Sequence, residues 1–158
     1  MSALLSVLML AASAFGGVAE PEPVDGVLTP ELLARVIAEA GGIGVWETEE
    51  ATRTAWRLLM HTALNRYRRR GSPATQFLQG FYRLDPAPPQ EAIDMARDVL
   101  AADEDPTDGC MYALSAQDLD LLGIEQEGDI VLTGNSVFQL HFYREWHAAG
   151  SHNSIQGG

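Results

Sequence analysis

A chain of 158 residues, 46% hydrophobic and 20% charged, can bury one core but hardly two, so a single folded domain is expected. Twenty-two acids against ten bases give a formal charge of −12, which excludes a broad phosphate-binding face and with it a nucleic-acid partner. The single cysteine, Cys110, excludes an intramolecular disulfide and reads as a small buried apolar residue.

In chain order, residues 3–14 form an apolar run ending in small residues, and Gly17-Val18-Ala19 offers a cleavage site. Residues 1–19 therefore read as a signal peptide, too short to span a bilayer comfortably. No Lys or Arg precedes the apolar stretch, so an uncleaved N-terminal anchor stays open as the alternative. Residues 20–28, with Pro21, Pro23 and Gly26, suit an extended linker. The folded domain is expected over 29–147, and a small, polar tail over 148–158. The expected location is outside the cytoplasm, secreted or in the cell envelope, with no stable membrane span after signal removal.

Thr29-Pro30-Glu31 is a helix start: Thr29 caps, Pro30 fits the first helical position, and Glu31 sits at the positive end of the dipole. Leu32, Leu33, Val36, Ile37 and Ala40 make an apolar stripe, and Gly41-Gly42 ends a helix predicted over 30–40. A second helix opens at Thr48 and closes with the arginines before Gly71. The pattern from Ser72 to Asp85 decides between neither a short helix nor an irregular aromatic segment. After a proline-marked loop, Ala92, Ile93, Ala96, Val99 and Leu100 define a third amphipathic helix near 89–101.

The remainder reads differently. Asp105-Pro106-Thr107-Asp108-Gly109 is a turn cluster, and 111–114 reads as a buried strand. Ser115 caps a short helix through Leu122, with Asp118 at the capping-box position and Gly123 as the stop. Residues 129–133 and 137–143 flank Thr133-Gly134-Asn135-Ser136 as a hairpin, whose second strand alternates Phe138, Leu140 and Phe142 with Gln139 and His141. Helices first and a small antiparallel sheet in the C-terminal half make the class α+β.

Glu39 breaks its helix's apolar pattern in the last turn. Both the dipole and apolar neighbours disfavour its charged form, which keeps a carboxyl protonated longer, as a general acid for glycoside cleavage requires. An exposed surface glutamate is the plainer account of the same residue. Arg66, Arg68, Arg69 and Arg70 fit either cations placed at a helix C-terminus or contact with an anionic polymer. Asn65 and Arg66 can position sugar groups or hold the helix end. Tyr82, Tyr112 and Tyr143 can stack on sugar faces or fill the core. Asp103, Asp105 and Asp108 lack the glycine and distal glutamate of a calcium loop, and the four histidines lack zinc-ligand spacing, so neither metal nor cofactor is expected.

Leu33-Ala34-Arg35-Val36-Ile37-Ala38-Glu39-Ala40-Gly41-Gly42, then Ala63-Leu64-Asn65-Arg66, then Val99-Leu100 before Asp105-Pro106-Thr107-Asp108-Gly109, resemble in order and rough spacing the cell-wall hydrolase family of the spore-cortex-lytic type. The Gly134-Asn135-Ser136-Val137-Phe138 region, with His141 and Tyr143, is similar to that family's closing strand. The resemblance implies a lysozyme-like domain acting on peptidoglycan glycan strands between N-acetylmuramic acid and N-acetylglucosamine, and a monomer is expected. It implies Glu39 as catalytic acid and base; Asn65, Tyr82, Thr107, Tyr112 and Tyr143 are the candidates expected to face substrate beside it. Two departures stand out. The family's second acid after the glutamate is replaced by Gly41-Gly42-Ile43, and the interval from Glu39 to Asn65 is about eight residues longer than the family's, which keeps Glu47 in reserve. Three functional readings follow: a glycan-cleaving enzyme acting by hydrolysis or lytic transglycosylation, a non-catalytic wall-binding member, and an unrelated exported interaction domain.

Overall fold

A computed structural model describes residues 28–41, 44–70, 87–135 and 138–145. Helix α1 spans Pro30–Ala34 and tightens directly into a 3-10 helix over Arg35–Ala40. Helix α2 spans Glu49–Arg70 and α3 spans Gln90–Ala101. Strand β1 (Tyr112–Ser115), helix α4 (Ala116–Leu122), and strands β2 (Ile130–Thr133) and β3 (Gln139–Tyr143) follow. The fold is α+β, with an antiparallel sheet ordered β1-β3-β2.

The helix starts are made locally. Thr29 Oγ1 accepts from Leu32 N at 3.2 Å, with Pro30 at the first helical position. Thr48 Oγ1 accepts from Ala51 N at 3.0 Å. Ser115 and Asp118 form both halves of a capping box, and Gly123 (φ 66°) ends α4 in the left-handed conformation. Ser115→Ala removes one half of that box and is expected to cost about 1 kcal/mol, read as a lower urea midpoint with unchanged slope.

The first helix differs from the regular one expected over 30–40. Arg35 N already reaches back to both Leu32 O and Leu33 O, and from there the chain winds with three residues per turn. In a 3-10 helix, side chains three apart eclipse. Val36 and Glu39, both within it, therefore share one row, and Val36 is fully buried.

The sheet separates two apolar layers. Leu140 and Phe142 of β3, with Ala113, Ile130 and Leu132 across the register, face a core built from Leu33 and Val36, Leu59 and Ala63 of α2, and Ala96 and Val99 of α3. Ala34, Ala55, Ala63, Ala92 and Ala96 are all fully buried, which lets the three helices approach closely. On the opposite face, Leu114 and Tyr143 pack with Leu119 of α4 and Ile124. This is the period-two alternation of a strand buried on both sides. Strand β1 starts one residue later than expected, although Met111 N still donates to Tyr143 O at 2.8 Å. The expected signal segment 1–19, the linker up to residue 27, the aromatic segment 72–85 and the tail 148–158 lie outside the described residues.

Candidate functional site

Glu39 sits in the final turn of the 3-10 helix, half-buried, with Oε1 buried. The backbone beyond it is held by contacts distant in sequence. Trp46 Nε1 donates to Ala40 O at 2.9 Å from a buried position, and the Trp46 ring meets Phe138 edge to face at 5.7 Å. Gly41 has φ 86° and ψ 174°, and a Cβ there would stand 2.9 Å from Val45 Cγ2, so only glycine makes this exit comfortably. The β2–β3 hairpin closes over the same segment. Asn135 N donates to Val45 O at 2.6 Å, Asn135 Nδ2 donates to Gly44 O, and a Cβ at Gly134 would lie 2.6 Å from Val45 O. Gly41 and Gly44 present exposed backbone, and open space surrounds the position of a Cβ at Gly44. Glu47, the reserve acid, is exposed.

A second constellation joins the two other motifs. Asp105 Oδ1 accepts from Thr107 N at 2.8 Å and from Thr107 Oγ1 at 2.6 Å. Its Oδ2 accepts from Asn65 Nδ2 at 2.7 Å and from Gly109 N at 2.9 Å. Asn65 Nδ2 also reaches Thr107 Oγ1 at 3.2 Å and Cys110 O at 3.0 Å. The turn that brings these acceptors together needs positive φ at Asp108 (51°) and Gly109 (85°), conformations that aspartate tolerates and glycine prefers. Burial pushes the Asp105 carboxyl up, but the bonds from Thr107, Asn65 and Gly109 outweigh it and hold the group below the usual carboxylate range.

His61 is buried beside this knot, with Nδ1 3.7 Å from Asp105 Oδ1. Burial lowers its pKa, Asp105 opposes that, and Arg57 and Arg68 add to it. His141 is also buried and shifted downward, mainly by desolvation, with Glu127 opposing. Its Nδ1 accepts from Gly128 N at 3.2 Å, which assigns the remaining proton to Nε2, 3.2 Å from Gln139 Oε1. Both histidines are thus held neutral, and the sign of the pH dependence follows. A base whose folded pKa is depressed contributes stability that is present above its ordinary value of 6.5 and is lost as pH falls through the folded value. The urea midpoint is expected to decline from about pH 6.5 downward, with a shallower decline in His61→Gln.

The residues expected to face substrate fall into different places. Asn65 is half-buried with its amide donors committed to the knot, and Thr107 is buried within it. Tyr143 is buried, its hydroxyl donates to Gln126 O at 2.7 Å, and burial pushes its pKa up to about 12. Tyr112 is half-buried at the start of an edge strand, with the Arg66 guanidinium 5.6 Å above its ring. Tyr82 lies outside the described residues. Cys110 is fully buried, and desolvation pushes its thiol up to about 11, which makes it a poor nucleophile. Sequence reasoning did not foresee the roles of Trp46, Asn135 and His141. Their hydrogen bonds cross between elements, and only the Gly134-Asn135 turn signal pointed toward one of them.

Comparison with protein-family models, with curated proteins and with solved structures found no match. No described helix is long and apolar enough to cross a membrane.

Proposed function

We propose that this chain is a peptidoglycan-cleaving enzyme of the cell envelope in which Glu39 is the single acid and base. The observation that carries the reading is the carboxyl of Glu39, set in the last turn of the 3-10 helix with one oxygen buried and followed in the chain by the exposed glycines Gly41 and Gly44. Such a carboxyl can donate a proton to the glycosidic oxygen as the bond from the anomeric carbon to that oxygen breaks, leaving an oxocarbenium-like sugar. The resulting carboxylate then takes the proton from the attacking hydroxyl. Water as attacker gives hydrolysis, and the muramic 6-hydroxyl gives an anhydro sugar. Asn65, Thr107 and Asp105 serve in this reading as the frame that fixes the end of α2 against β1.

Digestion of purified peptidoglycan by the full chain, with mass spectrometry of the sugar ends, tests the proposal. Soluble muropeptides with reducing or anhydro-muramic ends are the expected product, and intact wall after prolonged incubation overturns the catalytic reading. A non-catalytic wall-binding domain is the second reading, favoured by the internal commitment of Asn65, Thr107 and Tyr143. Sedimentation with wall and no product distinguishes it.

Export belongs to the same proposal. The mass of protein recovered outside the cytoplasm is expected to correspond to a start near Glu20. Recovery of the full-length chain in the cytoplasm alone contradicts it.

A further inference from the structure

Asparagine is common in hairpin turns because it tolerates the left-handed backbone and because its side chain can hydrogen-bond within its own turn. Neither reason accounts for Asn135. Among the described residues, positive φ outside glycine occurs at Asp108 and not at Asn135. The Asn135 amide leaves its turn altogether: Nδ2 donates to Gly44 O, 91 positions away in the sequence. Backbone alone closes the turn, with Phe138 N donating to Asn135 O at 3.2 Å and Gly134 N to Phe138 O at 2.9 Å.

Holding the hairpin against the segment after Glu39 does not use the whole side chain either. Asn135 N donates to Val45 O at 2.6 Å, the Trp46 and Phe138 rings meet edge to face, and Phe138 Cζ lies 3.4 Å from where a Cβ on Gly41 would stand. A primary amide offers two N–H donors and an oxygen with two lone pairs. Gly44 O takes one N–H, and among the described residues nothing donates to Oδ1 or accepts the second N–H. A donor and an acceptor are left over on one plane, whose orientation is fixed by the bonds to Gly44 O and Val45 O. Ligand can reach them. Asn135 is half-buried, Gly44 beside it is exposed, and open space surrounds the position of a Cβ at Gly44, as a close approach to backbone requires.

The complement of such a pair is a secondary amide, whose N–H meets Oδ1 and whose carbonyl meets the remaining N–H. An amide is neutral, so the net charge of −12 does not repel it. We propose that Asn135, fixed on Gly44, binds the acetamido group of an N-acetyl sugar at the hairpin tip, beside the turn that carries Glu39. The choice of a sugar rests on the wall-directed reading above; recognition of a secondary amide does not. The stem peptides of the wall carry the same amide chemistry, and the two sources separate in the test.

The test uses the full chain and Asn135→Ala with three neutral probes. These are the N-acetylglucosamine tetramer, the glucose tetramer cellotetraose, which has a hydroxyl in place of each acetamido group, and N-acetyl-alanyl-alanine amide. Dissociation constants are measured for both proteins, and the Asn135 side-chain NH2 resonances are followed in wild type. The N-acetylglucosamine tetramer is expected to move those resonances and to bind wild type about tenfold more tightly than cellotetraose, whereas Asn135→Ala binds the two tetramers equally. Weakening of both tetramers by the same factor in the variant marks the side chain as purely structural and overturns the site. Resonances moved by none of the probes overturn it as well, and this measurement needs no variant, so it decides the matter even if Asn135→Ala does not fold. A response to the dipeptide alone overturns the sugar as ligand and assigns the amide to the stem peptides. If the N-acetylglucosamine tetramer moves Asn135 while wall stays undigested, the catalytic reading fails and the acetamido site stands. Digestion of wall with Asn135 unresponsive gives the reverse.

Discussion

Glu39→Gln is expected to lower the release of soluble muropeptides by about 10²–10⁴-fold, the range associated with loss of a positioned general acid. The amide fills the same volume and keeps an oxygen where Oε1 is buried, so the fold is expected to be retained. It cannot give up a proton to the glycosidic oxygen. Cleavage assays alongside a thermal midpoint check this directly. Undiminished release by the variant rejects Glu39, and the exposed Glu47 is then the next residue to replace. Glu47→Gln is expected to leave the rate unchanged, because Glu47 is exposed and lies outside the 3-10 turn that carries the proposed acid.

The largest stability effect is expected at Asp105. Asp105→Ala leaves Thr107 N, Thr107 Oγ1, Asn65 Nδ2 and Gly109 N without their common acceptor. Leaving part-buried donors unsatisfied costs about 1–3 kcal/mol each at most, and water reaches this partly exposed turn, so a net loss of roughly 3 kcal/mol is expected. For a domain of this size that lowers Tm by roughly 10 °C. Asp105→Asn falls between the two, since its amide keeps one oxygen acceptor but turns an NH2 toward existing donors. The acid limb carries a second signature. A carboxyl whose folded pKa is depressed contributes stability present above the ordinary value of 3.8 and lost as pH falls through the folded value. Wild type is therefore expected to lose stability in that range more steeply than Asp105→Ala, as measured by urea midpoints across the acid limb.

Much of the fold was legible because the information was local. Thr29, Thr48 and Ser115 cap helices through side chains that reach backbone only three residues away, and Gly123 ends α4 by its own left-handed conformation. The alternation of β3 likewise follows from neighbours on one strand. What lay beyond the sequence spans large separations. Asn65 and Asp105 are forty residues apart, and each motif read alone looked like an ordinary helix end and an ordinary turn. Their hydrogen bonds explain why both motifs can serve one structural purpose, and they direct Asn65 and Thr107 inward.

The amino-acid sequence by itself determined the α+β class, the three longer helical segments, the capping box and the hairpin, because each depends on contacts within a few residues or on apolar periodicity. Only the tertiary structure decided that the first helix winds into a 3-10 turn. That winding sets Glu39 in register with Val36, while Trp46 and the β2–β3 hairpin hold the segment that follows. It also decided that His141 is neutral with its proton on Nε2, since the tautomer depends on a donor at Gly128 brought close by the turn into β2. Periodicity reports which face of an element is apolar. It carries no information about which distant backbone group meets that face, and the polar side chains of this domain are oriented by such groups.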